Sequence, residues 1–477
     1  MARVLHNYRD MFFLTFIIAL PFIIADVPYI DDLARMAVGY GWNQDGRVFA
    51  TLVMKFLSLG YPLMDISPIP TLLAVFSLLL SGYIISDAMN IEGRYSKAII
   101  AISMISGPFI VQNLSYQWDS FPMALSMLFV IAPIVFIENR VKYIASASVA
   151  LTLSMYLYQA TIFAFPSIAA IYIWKSLGVK NRKEITELLI TFLLAAIGFV
   201  LLYKISTLFI NLEFKQSRAD LIIFSSQPIE NLVKNISGLI SVYTPYFSSI
   251  VGKAIITAYI FSTITLLISS VKNKRLYALA GVLFPPLIVV MTSLVSLLIV
   301  NAPIAPRVFP ALPLSILMIA IISKKSKLSF IAVSALVAIT TVVQLYAYVN
   351  ALKSEFALQR SIVFQIAAKT DLHNKRIVVN GSAPISNGVV ITLKHLPYLK
   401  GSIPIYINNG WVWGRQLLEN EGVILKEQFL YSPDFDKQRN IAIKGLCDIP
   451  VTNQNIHYNV RSNESLVIID FKKKQCN

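Results

Sequence analysis

Two adjacent carboxylates, Asp31 and Asp32, follow the first apolar run of the chain within ADVPYIDDLARMAVGYGWNQDGR. Such a pair is costly inside hydrocarbon but useful beside it, where one carboxylate can take the proton of an incoming hydroxyl. Asp26, Arg35, Trp42, Asp45 and Arg47 share the segment. If residues 30–40 are helical, Asp31 and Arg35 are four apart on one face and Asp32 points elsewhere, toward a cavity. The plainer alternative makes Asp31–Arg35 a surface ion pair and Asp32 a helix-start residue favoured by the dipole. The segment NLSYQWDS, 113–120, adds Gln117, Trp118 and Asp119. A ring that packs on C–H faces, with amide and carboxylate groups for hydroxyls, suits a sugar. It equally suits an interfacial tryptophan belt with Asp119 capping a helix that starts at Phe121.

Cations are the second set. Arg307, in NAPIAPRVFP, is presented on a proline-stiffened backbone, and its planar, permanently charged fork suits a phosphate. Snorkelling to lipid phosphates is the alternative. Lys204 interrupts the apolar run LLITFLLAAIGFVLLYKISTLFI, where an unpaired ammonium is expensive unless it reaches the outer edge. Lys215 and Arg218 are further phosphate candidates, with ordinary solvated charges as the simpler reading. Tyr158 and Gln159 fall between two apolar runs with almost no connecting loop, so they must face protein or a cavity.

The elements that position these residues follow from composition. Hydrophobic residues make up 56% of the 477, charged ones 14%, and the mean hydropathy is +0.67, which describes a polytopic α-helical membrane protein. Apolar runs begin near residues 11, 68, 98, 121, 144, 160, 187, 254, 278, 308 and 328, predicting eleven spans of a core about 30 Å thick, with 144–159 and 160–174 alternatively one kinked pair around Tyr156, Tyr158 and Gln159. The net charge of +16 needs no nucleic acid, because Lys and Arg cluster in alternate connections: Arg3 and Arg9, Arg94 and Lys97, Arg140 and Lys142, Lys175–Lys183, Lys272–Arg275, Lys324–Lys327. These connections are expected in the cytoplasm with the N-terminus. The loops 26–67, 113–120, 211–253 and 301–307 are then expected outside, together with the tail. Within the first loop, VFATLVMKFLSLGYPLM is short for a span and reads as an interfacial amphipathic helix. Pro21 and the lack of an A-x-A site argue that the first run is retained rather than cleaved.

Residues 1–349 are thus expected to form the transmembrane module and 350–477 a small α/β domain. Strands are predicted at 376–379, 403–407, 440–443, 456–460 and 466–469, with helices near 352–368, 386–396 and 412–420. No nucleotide fingerprint is present, the glycines reading as turns. His6, His373, His395 and His457 show no metal spacing, and neither do Cys447 and Cys476, whose place in the outward tail permits a disulfide.

Taken in order, YIDDLAR, GYGW and DGR in the first outward loop, the QWD segment, the YLYQATIF junction, Pro306-Arg307 before a late span and the outward tail resemble the bacterial serotype-converting O-antigen glucosyltransferases. These are often encoded by temperate phages and belong to the wider GT-C class. The resemblance covers most of the membrane part; the tail matches in placement only.

It implies a GT-C-like enzyme of the bacterial inner membrane that moves glucose, on the periplasmic side, from undecaprenyl-phosphate-glucose to a sugar of the lipid-linked O-antigen. In that class the acid of the first outward loop is the general base, which maps to Asp31 or Asp32. A flippase and a donor synthase are the implied working partners. Arg307, then Lys204 and Arg35, would hold the departing phosphate. Trp42, Asp45, Arg47, Gln117, Trp118, Asp119, Tyr158 and Gln159 would meet sugar or acceptor. No cofactor is required, although a divalent ion can stand in for some of the cations. Rival readings are a lipid-linked oligosaccharide flippase, which would bury its acids in the bundle, and an O-antigen polymerase, which would rely on arginines in large loops.

Overall fold

In the computed structural model, residues 2–210, 220–270, 275–409, 411–424 and 435–476 are described; Lys215, Arg218, Lys272 and Lys274 lie outside them. All eleven apolar runs are helical. Among the described residues, six helices are by themselves long and apolar enough to cross a membrane: Ile69–Ala88, Gln159–Leu177, Arg182–Ser206, Ile250–Ser269, Arg275–Leu294 and Lys327–Lys369. Arg94–Ser103 and Pro108–Leu114, bent by 82°, make a seventh if they form one span. Other apolar runs fall on shorter or broken helices, and the breaks have local causes. Gly107, at φ 91°, takes a backbone conformation that a side chain would strain, and Pro108 starts a new helix after it. Ser120–Phe136 and Pro313–Ser323 are shorter apolar helices.

Arg182–Ser206 has only 22% of its apolar window buried, with Leu193, Val200, Leu201 and Ile205 exposed. Lipid, not water, is the solvent such a surface fits. Val48–Leu57 is a helix, as its amphipathic pattern predicts, burying Ala50 and Met54 and exposing Leu52 and Phe56. A 21-residue helix, Pro228–Ser248, occupies the loop 211–253.

The chain divides into two compact units. The first comprises residues 1–24, 41–347 and 395–402; the second comprises 25–40, 348–394 and 403–477. In the first, the backbone breaks at Tyr158, whose extended conformation separates the helix Arg140–Leu157 from the turn Gln159–Phe163. Side chains satisfy the carbonyls freed by the break. Arg47 Nε donates to Leu157 O at 2.7 Å and Thr161 Oγ1 to Tyr158 O at 2.6 Å. A broken helix is tolerated in an apolar interior on that condition.

The second unit holds a four-stranded sheet in the order β1-β4-β3-β2: β1 Arg376–Asn380, β2 Val451–Gln454, β3 Asn459–Ser462, β4 Leu466–Asp470. β1 runs parallel to β4 and the other pairings are antiparallel. Two expected strands are absent. Residues 440–443 belong to the helix Phe435–Lys444: the Ile441/Ile443 alternation mimics a strand, but Ala442 and Ile443 pack together against Leu446, Ile449 and Ile468. Residues 403–407 contain Pro404, which lacks a ladder donor, and the N–H groups of Tyr406 and Ile407 both go to Gln359 Oε1, at 2.6 and 3.0 Å. β2 was not expected; its side chains are mostly exposed and so lack the alternation that marks a strand.

Cys447 and Cys476 are joined by a disulfide, 29 residues apart in sequence. Replacing both by Ser should lower the stability of this unit by about 3 kcal/mol through the unfolded chain's regained freedom. The check is limited proteolysis of the full-length variant, which should cut within 350–477 earlier than in the parent.

Candidate functional site

In the first unit the chemistry gathers around one buried ion pair. Arg47 Nη1 lies 3.0 Å from Asp119 Oδ1, and the Trp42 indole donates to the same oxygen at 2.6 Å. Arg47 also sits over the Tyr158 ring at 5.0 Å and the Trp42 ring at 5.8 Å. Three elements are fixed by this contact: the turn before Val48–Leu57, the break at Leu157-Tyr158, and the start of Ser120–Ile131. Asp119 occupies the N-cap position of that last helix, yet its side chain makes no capping bond; the carboxylate serves the guanidinium and indole instead. Gly41 is required nearby, because a Cβ there would fall 2.5 Å from the side chain of Thr51, whose Oγ1 accepts the Trp42 N–H at 2.7 Å. Arg47 Nη2 is buried and has no hydrogen-bond partner among the described residues.

The group continues to Arg307. Tyr158 Oη donates to the Arg307 carbonyl at 2.8 Å, and the Arg307 N–H donates to Gln112 Oε1 at 2.8 Å. Its guanidinium donates to Tyr116 Oη and lies over that ring at 5.8 Å. Arg307 is half-buried, held by backbone and side chain. Gln159 Nε2 donates to the Asp45 carbonyl at 3.0 Å, and the Asp45 carboxylate has no hydrogen bond or ion pair among the described residues. Gln112 and Tyr116 were not anticipated from the sequence. The signal was available in part: a lone amide in an apolar run, and a tyrosine inside the polar segment already marked.

Other expected residues fall elsewhere. Trp118, 2% exposed, packs with Trp42, Met54, Leu63 and Leu157 in a closed apolar cluster, so neither indole presents an open face to a sugar in this conformation. Gln117 is buried at the same segment. Lys204 is exposed in the last turn of Arg182–Ser206 and makes no side-chain bond to this group.

Asp31, Asp32 and Arg35 belong to the second unit, which sequence reasoning did not foresee. Leu33 lies in its core with Ile362, Val363 and Tyr406. Asn420 donates to the Leu33 carbonyl at 2.8 Å and Tyr406 Oη to Pro28 O at 3.0 Å. The helix Asp32–Val38 is short and ends at Gly39 in the left-handed region. Asp32 is fully buried, accepting the Tyr29 N–H at 2.9 Å, whereas Asp31 is half-buried. Arg35 is buried against the Tyr40 ring at 4.9 Å. Burial, the foremost cause, and then the neighbouring Tyr29, Asp32 and Asp31 push the Tyr406 hydroxyl well above its ordinary pKa, so it stays a donor. Among the described residues no three His, Cys, Asp or Glu side chains converge to hold a metal ion.

The family model for glucosyl transferase GtrII matches residues 20–367, which take in the acid pair, the Arg47–Asp119 pair and Arg307. The chain belongs to that family. Its coarse activity is therefore that of a glucosyltransferase, and the apolar helices are compatible with membrane insertion. An uncharacterized 55.3 kDa protein from the gtrB 5' region of Salmonella phage P22 is 24% identical, over 90% of this chain and 93% of its own length. No solved structure matches. The family match stops at residue 367, before β1, so the sheet of this GtrII protein lies outside it.

Asp119→Asn should destabilise the first unit by about 3 kcal/mol or more, since it leaves a buried guanidinium uncompensated. Pairing it with Arg47→Met should recover part of that loss. Thermal unfolding of the two variants in detergent checks the sign of the coupling.

Proposed function

We propose that the protein transfers glucose from undecaprenyl-phosphate-glucose to a sugar of the lipid-linked O-antigen at the periplasmic face, converting serotype. The observation that carries the reading is the GtrII match over 20–367, the stretch that holds both the acid pair and the Arg307 group. The orientation is supported by the basic connections and by the Cys447–Cys476 disulfide, a bond that persists outside the reducing cytoplasm. The donor synthase and flippase act before it.

In this reading Asp31, the more accessible of the pair, takes the proton of the acceptor hydroxyl. The freed oxygen attacks the anomeric carbon, the bond from that carbon to the phosphate oxygen breaks, and its electron pair leaves with the lipid phosphate. The configuration inverts. The leaving group is already a stable anion, so no general acid is needed, only a cation to hold it. Arg307 supplies that charge, its carbonyl and amide fixed by Tyr158 and Gln112. The half-buried Asp45 carboxylate is the group available to sugar hydroxyls.

The test uses membranes containing the protein, the lipid-phosphate-glucose donor and O-antigen acceptor. Asp31→Asn should lower turnover at least about 100-fold with donor KM little changed. Arg307→Gln should lower kcat/KM for donor by a similar factor, in the range of a lost anion-stabilising donor. Full activity in Asp31→Asn removes that base, and transfer from a nucleotide sugar without the lipid donor removes the donor assignment.

A further inference from the structure

The helices that begin at the Arg47–Arg307 group end at a second feature. Gln159–Leu177 starts beside Tyr158 and, at 19 residues, runs about 28 Å to Trp174 and Lys175. Pro313–Ser323 starts shortly after Arg307 and ends at Lys324 and Lys325. At these far ends lies a cavity of about 830 Å³ within the first unit, whose lining includes Lys175, Lys324, Lys325, Glu92, Trp174 and Tyr277. Among the described residues its lining holds three lysines and one acid, Glu92.

The cavity is built rather than incidental. Trp174 stacks on Tyr277 with centroids 4.9 Å apart and planes at 17°, and its indole donates to the Tyr277 carbonyl at 3.2 Å. Gly178 permits that approach, because a Cβ there would sit 3.1 Å from the Tyr277 ring. Lys325 Nζ lies 5.2 Å above the same ring. Lys175 Nζ donates to the Ala88 carbonyl at 2.5 Å and Lys324 Nζ to the Glu92 carbonyl at 3.1 Å. These two ammonium groups are held by backbone carbonyls, and Lys175 also feels the carboxylate of Glu138. Aromatic groups at the ends of apolar helices mark the headgroup level.

We propose that this cavity binds the phosphate headgroup of an anionic phospholipid from the leaflet opposite the candidate site. A phosphate diester carries the charge that complements a cavity lined by three lysines, and its acyl chains have exposed apolar helix surface to follow: Leu267 and Ile268 precede lining residue Ser269 in Ile250–Ser269, and Leu276 and Leu279 flank Tyr277. Basic pockets between spans recognise anionic headgroups on these grounds. The site is separate from sugar transfer and does not depend on which donor or acceptor the enzyme uses.

Native mass spectrometry of the full-length protein, with phosphatidylglycerol, cardiolipin and phosphatidylcholine supplied in turn, tests it. Retention of the anionic lipids over phosphatidylcholine is expected, and Lys324→Gln with Lys325→Gln should weaken it about tenfold or more. Arg182→Gln with Lys183→Gln removes the same charge from residues that do not line the cavity, and should leave retention within about twofold. Equal loss in both double variants, or no preference in the parent, overturns the proposal. A titration with inorganic phosphate separates the sources. Displacement of the lipid only at high concentration fits a headgroup site, and saturable binding of phosphate with no lipid retention overturns it in favour of a soluble ligand.

Discussion

A guanidinium withdrawn from water must find a carboxylate and further acceptors, or the fold that buries it fails. Arg47 meets that demand with residues from two distant parts of the chain, Asp119 and the Leu157 carbonyl. The first of these pairs bridges 72 residues and the second 110. Because Leu157 ends its helix just before the Tyr158 break, its carbonyl is available only where the span is interrupted. The break and the ion pair therefore support each other: one exposes an acceptor and the other satisfies it. Tyr158, positioned by that break, carries the constraint onward to the Arg307 backbone.

This explains what sequence could and could not convey. Apolar runs, basic connections and the α/β tail are properties of neighbouring residues, and helices follow wherever those runs were marked. Residue types suited to acid–base and phosphate chemistry were visible too, at Asp31, Asp32, Arg307, Asp119 and Arg47. Hidden from a linear reading was which of them touch. Trp42 and Trp118 look like sugar platforms by type, yet both rings are packed with Met54 and Leu63. Lys204 looks anomalous within its run, yet it lies on an exposed turn and joins nothing in the Arg307 group.

The assignment of residues 25–40 to the second unit is the clearest case. Its signal is Leu33, one apolar residue whose partners are Ile362, Val363 and Tyr406, more than 320 positions later. Nothing in the local pattern of YIDDLAR distinguishes a free loop from a short helix folded into a remote core. The missing strand at 403–407 has a similar origin. There a single side chain, Gln359, supplies the acceptor that a neighbouring strand would have supplied, and only Pro404 hinted at it.

Burial also separates two carboxylates that sequence treats alike. Asp32 is held as a structural acceptor: its oxygen closes a turn with the Tyr29 N–H, it is withdrawn from solvent, and Tyr406 on the same unit anchors Pro28 a few residues earlier. A group so placed is poorly suited to meeting a new hydroxyl at every turnover, since each encounter would have to open the turn that the group itself closes. Asp31 is one residue earlier, at the N-cap position, with its side chain making no capping bond and partly open to solvent. The two neighbours are thus divided, one carboxylate closing the turn and the other partly open to solvent. Adjacent acids at the start of a short helix are what such a division needs, because neighbouring side chains on one helix point in different directions.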